Sequence, residues 1–88
     1  REDMAFYRHV DEVMASPDTW RGKNMQVHGF MKDLRNKPGS LEYRFTLESR
    51  PPRGPATIVT NYEGILPDTA KEGSEVIATG VIGADNVL

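Results

Sequence analysis

The stretch from Leu41 to Leu47 limits the fold more narrowly than any other: Leu41, Tyr43, Phe45 and Leu47 alternate with Glu42, Arg44 and Thr46. Successive side chains of a strand point to opposite faces, so the pattern predicts a strand with one face in a core and the other toward solvent. A helix would scatter the same apolar residues around its circumference. The flanking segments agree. Leu34-Arg35-Asn36-Lys37-Pro38-Gly39-Ser40 is dense in turn formers, and Arg50-Pro51-Pro52-Arg53-Gly54-Pro55 carries prolines that cannot donate to a ladder, so both are exposed connections.

The same period of two recurs upstream. Over Asn24 to Asp33, Met25, Val27, Gly29 and Met31 fall on one side, and Asn24, Gln26, His28 and Phe30 on the other. Ala56 to Tyr62 gives a third strand, and Glu75 to Gly83 a fourth that is apolar on both faces. Ala84-Asp85-Asn86 reads as a tight turn, and Val87-Leu88 as the opening of a fifth strand left incomplete. Phe6, Val10, Val13 and Met14 stand at helical spacing within Phe6 to Ala15, and Ser16-Pro17-Asp18 reads as an N-cap followed by proline at the first helical position. Asp68 to Gly73, acidic at its start and ending in glycine, predicts one further helical turn. A sandwich needs seven or more strands, so the expected fold is all-β: a small five-stranded antiparallel barrel of the oligonucleotide/oligosaccharide-binding (OB) type with short helical turns. At 88 residues, the expected organisation is one domain spanning residues 1–88.

Composition removes several classes of function. No cysteine is present, which excludes disulfides, Cys-ligated zinc and iron–sulfur clusters within these residues. No apolar run approaches the roughly 20 residues that span a bilayer, and no signal-peptide pattern occurs. The start at Arg1 suggests a processed or trimmed chain, with any anchor outside it. Charge is unevenly placed: Trp20 to Arg53 holds eight basic against three acidic residues, whereas residues 54–88 hold one against five. A basic block of this kind suits an anionic partner or a solvated strand face, the second being the commoner cause.

Tyr62-Glu63-Gly64-Ile65-Leu66-Pro67-Asp68, continued by Glu72-Gly73 and Val76-Ile77-Ala78-Thr79-Gly80, resembles the CcmE (CycJ) family of periplasmic haem chaperones in cytochrome c maturation. Phe6-Tyr7 ahead of Val13, Gly22-Lys23, Gly29, and Pro38-Gly39-Ser40-Leu41 before Phe45 fall in the same order, so the resemblance covers nearly the whole chain. It implies an OB barrel tethered by an N-terminal helix to the periplasmic side of a bacterial inner membrane. It also implies transient capture of haem and delivery to apocytochrome c through the maturation membrane proteins. The family attaches haem through a histidine in a His-Asp-x-x-Tyr type segment after the fifth strand, which places that histidine and tyrosine beyond Leu88. Phe6 is the residue here that matches the family's aromatic ahead of the first helical turn, and the resemblance makes it a candidate haem platform.

The remaining candidates are weaker. His9 near Asp11 and Glu12 invites a metal site, but three groups within four residues seldom converge without a further ligand, so a solvated face is expected. His28, on the polar side of its strand beside Phe30, is expected as a surface imidazole, with edge-on contact to a planar ligand as the functional option. No nucleophile elbow or glycine-rich phosphate loop occurs, so no enzymatic activity is expected. OB barrels also bind single-stranded nucleic acid, for which Arg35, Lys37, Arg44, Arg50 and Arg53 with Phe30 would serve. Tyr43 and Phe45 share a face with Leu41 and Leu47 and are expected in the core, which disfavours nucleic acid. A protein-interaction module without haem attachment is the third reading.

Overall fold

The computed structural model describes residues 4–85, 87 and 88. Five strands and two short helices run in the order β1 (Phe6–His9), α1 (Val10–Ala15), α2 (Pro17–Trp20), β2 (Asn24–Asn36), β3 (Glu42–Glu48), β4 (Thr57–Glu63) and β5 (Glu75–Val81). The all-β, OB-like class expected from the alternation is what forms, as one five-stranded sheet that does not close into a barrel.

β2 organises the sheet. β5 lies antiparallel to it from Asn24 to Phe30, and β1 and β3 lie end to end along its opposite edge, β1 against Met25–His28 and β3 against Phe30–Asn36. β4 then pairs with β3 from Glu42↔Glu63 to Glu48↔Thr57. Met25, Val27 and Met31 of β2, Phe45 and Leu47 of β3, and Ile58 of β4 turn inward and are buried with Val10, Val13, Ile82 and Leu88. Each such side chain contributes about 1.5–3 kcal/mol by leaving water.

Four details depart from the sequence expectations. First, the fifth strand is the N-terminal segment, and it runs parallel to β2, so the sheet is not wholly antiparallel. Helical spacing from Phe6 overstated the helix: the backbone N–H of His9 donates to Glu12 Oε1 at 2.8 Å, which sets the helix start at Val10 and leaves Phe6–His9 extended. Second, Val87-Leu88 forms no strand, although Leu88 makes two backbone hydrogen bonds to β4. Its N–H donates to Val59 O at 2.9 Å, and Asn61 N–H donates to Leu88 O at 3.1 Å. The third residue of the Ala84-Asp85-Asn86 turn lies outside the described residues.

Third, Asp68 to Gly73 forms two successive turns instead of a helical turn, closed by Ala70 N–H to Pro67 O and Ser74 N–H to Lys71 O, both at 2.9 Å. Its groups are drawn to β2: Gly73 N–H donates to Met31 O at 2.7 Å and Glu72 Oε1 accepts from Leu34 N–H at 2.7 Å. The Leu34 and Asp33 amides on Glu72 hold its carboxyl below the usual range. Fourth, β2 continues past Asp33 to Asn36 through a bulge between Lys32 and Arg35, where Asp33 takes a positive φ of 57°. Between β4 and β5 lies a cleft of about 610 Å³ whose lining includes Met31, Phe45, Thr60 and Leu88. Among the described residues, buried Thr60 Oγ1 has no hydrogen-bond partner there.

Candidate functional site

Phe6 opens β1 and is 41% exposed. It leans on Trp20, the last residue of α2, with centroids 5.5 Å apart and planes inclined by 57°. Gly22, at φ 81°, reverses the chain after α2, and Gly22 N–H donates to Ile82 O at 3.0 Å. That reversal returns Lys23 across the two rings, its Nζ 5.6 Å from the Phe6 centroid and 5.3 Å from that of Trp20. The Arg8 guanidinium lies 4.6 Å from the Trp20 centroid. Cations over aromatic faces stabilise each other by roughly 0.5–1 kcal/mol at exposed sites. The outcome is a small aromatic plate with two cations on it, a surface suited to a flat apolar ligand with anionic substituents.

A second cluster occupies the outer wall of β1, β2 and β5. The parallel register sets His9 beside His28, and their Nδ1 atoms are 3.0 Å apart. His28 Nε2 is hydrogen-bonded to the Glu75 carboxylate of β5. Tyr7 flanks both imidazoles, at 5.8 and 6.4 Å between centroids, and Phe30 stands edge-on to His28 at 5.9 Å. The Arg50 guanidinium lies 4.2 Å from the Phe30 centroid.

His9 is therefore half-buried instead of a free solvated group: its backbone N–H is held by Glu12, and its ring meets His28. Asp11 turns to Arg53, whose Nε donates to Asp11 Oδ1 at 2.9 Å. That bond holds the Asp11 carboxyl below the usual carboxylate range, against the opposing effect of burial, and the Arg53 charge adds to it. Among the described residues, no group of three or more His, Asp or Glu side chains is arranged to hold a metal ion.

The residues named for nucleic acid are largely engaged elsewhere. Lys37 lies 3.6 Å from Glu42, Arg50 3.7 Å from Glu48, and Arg53 on Asp11, while Arg44 Nε donates to Asn61 Oδ1 at 2.9 Å. Phe30 carries Arg50 on its face. Phe45 is buried as expected, but Leu41 is 53% exposed and Tyr43 only half-buried. Leu41 falls just outside β3, and Tyr43 sits opposite Asn36 and Tyr62 on the twisted end of β2 beyond its bulge. There Tyr43 and Tyr62, 6.4 Å apart, line a shallow groove of about 640 Å³ with Arg35 and Arg44.

Sequence reasoning named Phe6 through resemblance but not the Trp20, Lys23 and Arg8 side chains that gather around it. It also missed the His9–His28 contact. The available signal was that Phe6-Tyr7-Arg8-His9 and Met25-Gln26-Val27-His28 both end in histidine, and only the parallel register gives that coincidence meaning.

Residues 4–88 match the CcmE domain family model. A cytochrome c-type biogenesis protein CcmE of Laribacter hongkongensis is 33% identical over 91 residues, covering 100% of this chain and 58% of the relative. The protein of the same name from Vibrio parahaemolyticus is 34% identical over 82 residues, covering 88% and 48%, and that of Haemophilus influenzae is 39% identical over 69 residues, covering 76% and 38%. The chain spans about half the length of the curated relatives it matches.

Proposed function

The chain belongs to the CcmE family, and from that premise we propose that it is the β domain of a haem chaperone serving cytochrome c maturation. In this reading it holds haem transiently and passes it, through the maturation membrane proteins, to apocytochrome c on the periplasmic side of a bacterial inner membrane. The observation that carries the reading is the family match across residues 4–88, to which the aromatic plate adds a physical basis. No helix among the described residues is long and apolar enough to cross a membrane, so the proposed tether lies outside them. The covalent attachment group, a histidine with a tyrosine partner, is likewise proposed to lie beyond Leu88.

Haem is the cargo. Phe6 and Trp20 would support one face of the tetrapyrrole, and Lys23 and Arg8 would meet its propionates by charge-assisted hydrogen bonds. A shallow plate suits a carrier, because a ligand left open to solvent on one side is released more readily than one enclosed in a pocket. The domain performs no reaction in this account: it orients the porphyrin edge and holds the ring out of bulk water.

Titration of haemin into the chain, followed by the Soret band, tests the plate. Saturable binding is expected, with no haem surviving denaturing electrophoresis. Phe6→Ala should weaken binding about tenfold, since one ring face covers about 50 Å² at roughly 25 cal/mol per Å². A folded Phe6→Ala chain with unchanged haem affinity would dismiss Phe6 as a platform, and a covalent adduct would return His9 or His28 to the attachment role. A salt-dependent shift of a labelled oligonucleotide in place of haem binding would transfer function to the Tyr43–Tyr62 groove.

A further inference from the structure

Haem support at Phe6 makes no use of the two imidazoles that β1 and β2 bring together on the outer wall. We propose that His9 and His28 form a two-nitrogen site for a divalent transition-metal ion, with copper(II) as the favoured occupant.

The geometry is the first reason. Metal–imidazole bonds are about 2.0–2.1 Å long, so nitrogens 3.0 Å apart subtend an angle of about 91–97° at a shared ion. That is the cis angle of square-planar and octahedral coordination, whereas a tetrahedral ion would need the nitrogens about 3.3 Å apart. Square-planar preference and the order of divalent affinities both favour copper(II). Each ring has only to swing its lone pair off the line joining the two nitrogens.

The second reason is independent of that distance. Glu75 accepts from His28 Nε2, which places the ring proton on Nε2 and leaves Nδ1 with a lone pair. A carboxylate on the far nitrogen is the usual support of a metal-binding histidine: it sets the tautomer and raises ligand basicity. Three strands supply the parts. His9 closes β1, His28 lies in the middle of β2, and Glu75 opens β5. Without metal, His9 Nδ1–H is the donor to His28. On binding, the His9 ring proton moves from Nδ1 to Nε2, so two neutral imidazoles face the ion and no net proton is lost. Tyr7 and Phe30 wall the site laterally, and water completes the coordination.

This pair is not a second haem ligand set. Axial ligands of one haem iron lie on opposite faces, about 4 Å apart, which two nitrogens at 3.0 Å on one wall cannot supply. The proposal therefore stands or falls separately from haem carriage.

Copper(II) chloride titrated into the chain and followed by electron paramagnetic resonance is the test. One ion per chain is expected, with a tetragonal signal split by two nitrogens. His9→Gln and His28→Gln should each remove the two-nitrogen pattern and weaken binding at least tenfold. Glu75→Gln should keep both nitrogens and weaken binding roughly 10- to 100-fold. A copper signal unchanged in the double His9→Gln/His28→Gln chain, or no stoichiometric binding by the wild type, overturns the site. Should a variant unfold, nuclear magnetic resonance of the unaltered chain decides: sub-stoichiometric copper must broaden the His9 and His28 ring signals first, and broadening that begins at the amino terminus refutes the assignment.

Discussion

Gly29 is where helix α1 rests on the sheet, and a single methyl added there tests the packing directly. A Cβ at this position would stand 2.8 Å from Val10 Cγ2, 3.1 Å from Leu47 Cβ and 3.3 Å from Glu48 O. Carbon atoms prefer about 3.5–4.0 Å, so the first two contacts lie well inside the repulsive wall. Neither neighbour yields easily. Val10 and Leu47 are both fully buried, valine is stiff at χ1, and a Cβ moves only with its backbone. Overpacking of this kind costs about 1–3 kcal/mol, and the middle of that range is expected for Gly29→Ala. With a urea slope near 1 kcal/mol per M for so small a domain, the unfolding midpoint should fall by about 2 M. Val10→Ala alone should cost about 2 kcal/mol for the lost methyls and residual cavity. The double variant should then cost well under the sum, with a coupling of about 1–2 kcal/mol, because the truncation removes the nearest clash. Urea unfolding of the four proteins measures the cycle. A Gly29→Ala midpoint within 0.5 M of wild type would refute the steric reasoning, and strict additivity would remove Val10 from it.

Two further outcomes follow from other contacts. The Asp11 carboxyl is held below its usual range chiefly by the Arg53 hydrogen bond, so the pair adds stability above the unfolded-state value near pH 4 and loses it as pH falls through the lower folded-state value. Asp11→Asn should therefore be less stable at neutral pH and lose less on acidification below pH 5; equal acid slopes in urea titrations would contradict this. At the bulge, Asp33→Val should cost about 1–2 kcal/mol because a branched side chain resists a φ of 57°, while Asp33→Gly should stay within about 0.5 kcal/mol. Thermal melts showing equal losses for the two would remove backbone conformation as the cause.

The strands were legible where one face is buried and the other wet. β2, β3 and β4 announce themselves because Met25, Val27, Met31, Phe45, Leu47 and Ile58 must all turn inward, and a period of two is the only way to arrange that. The N-terminal segment was not, since Phe6, Val10, Val13 and Met14 satisfy a helix equally well. What decides is a parallel register with residues nearly twenty positions away, which no local pattern records. Asp68 to Gly73 failed for a related reason: the Gly73 amide and Glu72 carboxylate serve β2 in place of a helix. The candidate plate shows the same division. Phe6 could be named from family likeness, but Trp20, Lys23 and Arg8 meet it only because α2, the Gly22 reversal and β1 cross at one place.

β2 has two consecutive neighbours butted along one margin and a third along the other, so Met25–His28 and Phe30 each hold strands on both sides. A cut in the Pro51–Pro55 connection would separate the chain into pieces that each keep whole strands, and such pieces should reassociate when mixed. A cut within β2 would strand β1, β3 and β5 together. For fragment complementation or circular permutation of this domain, that one thirteen-residue segment is the indivisible unit.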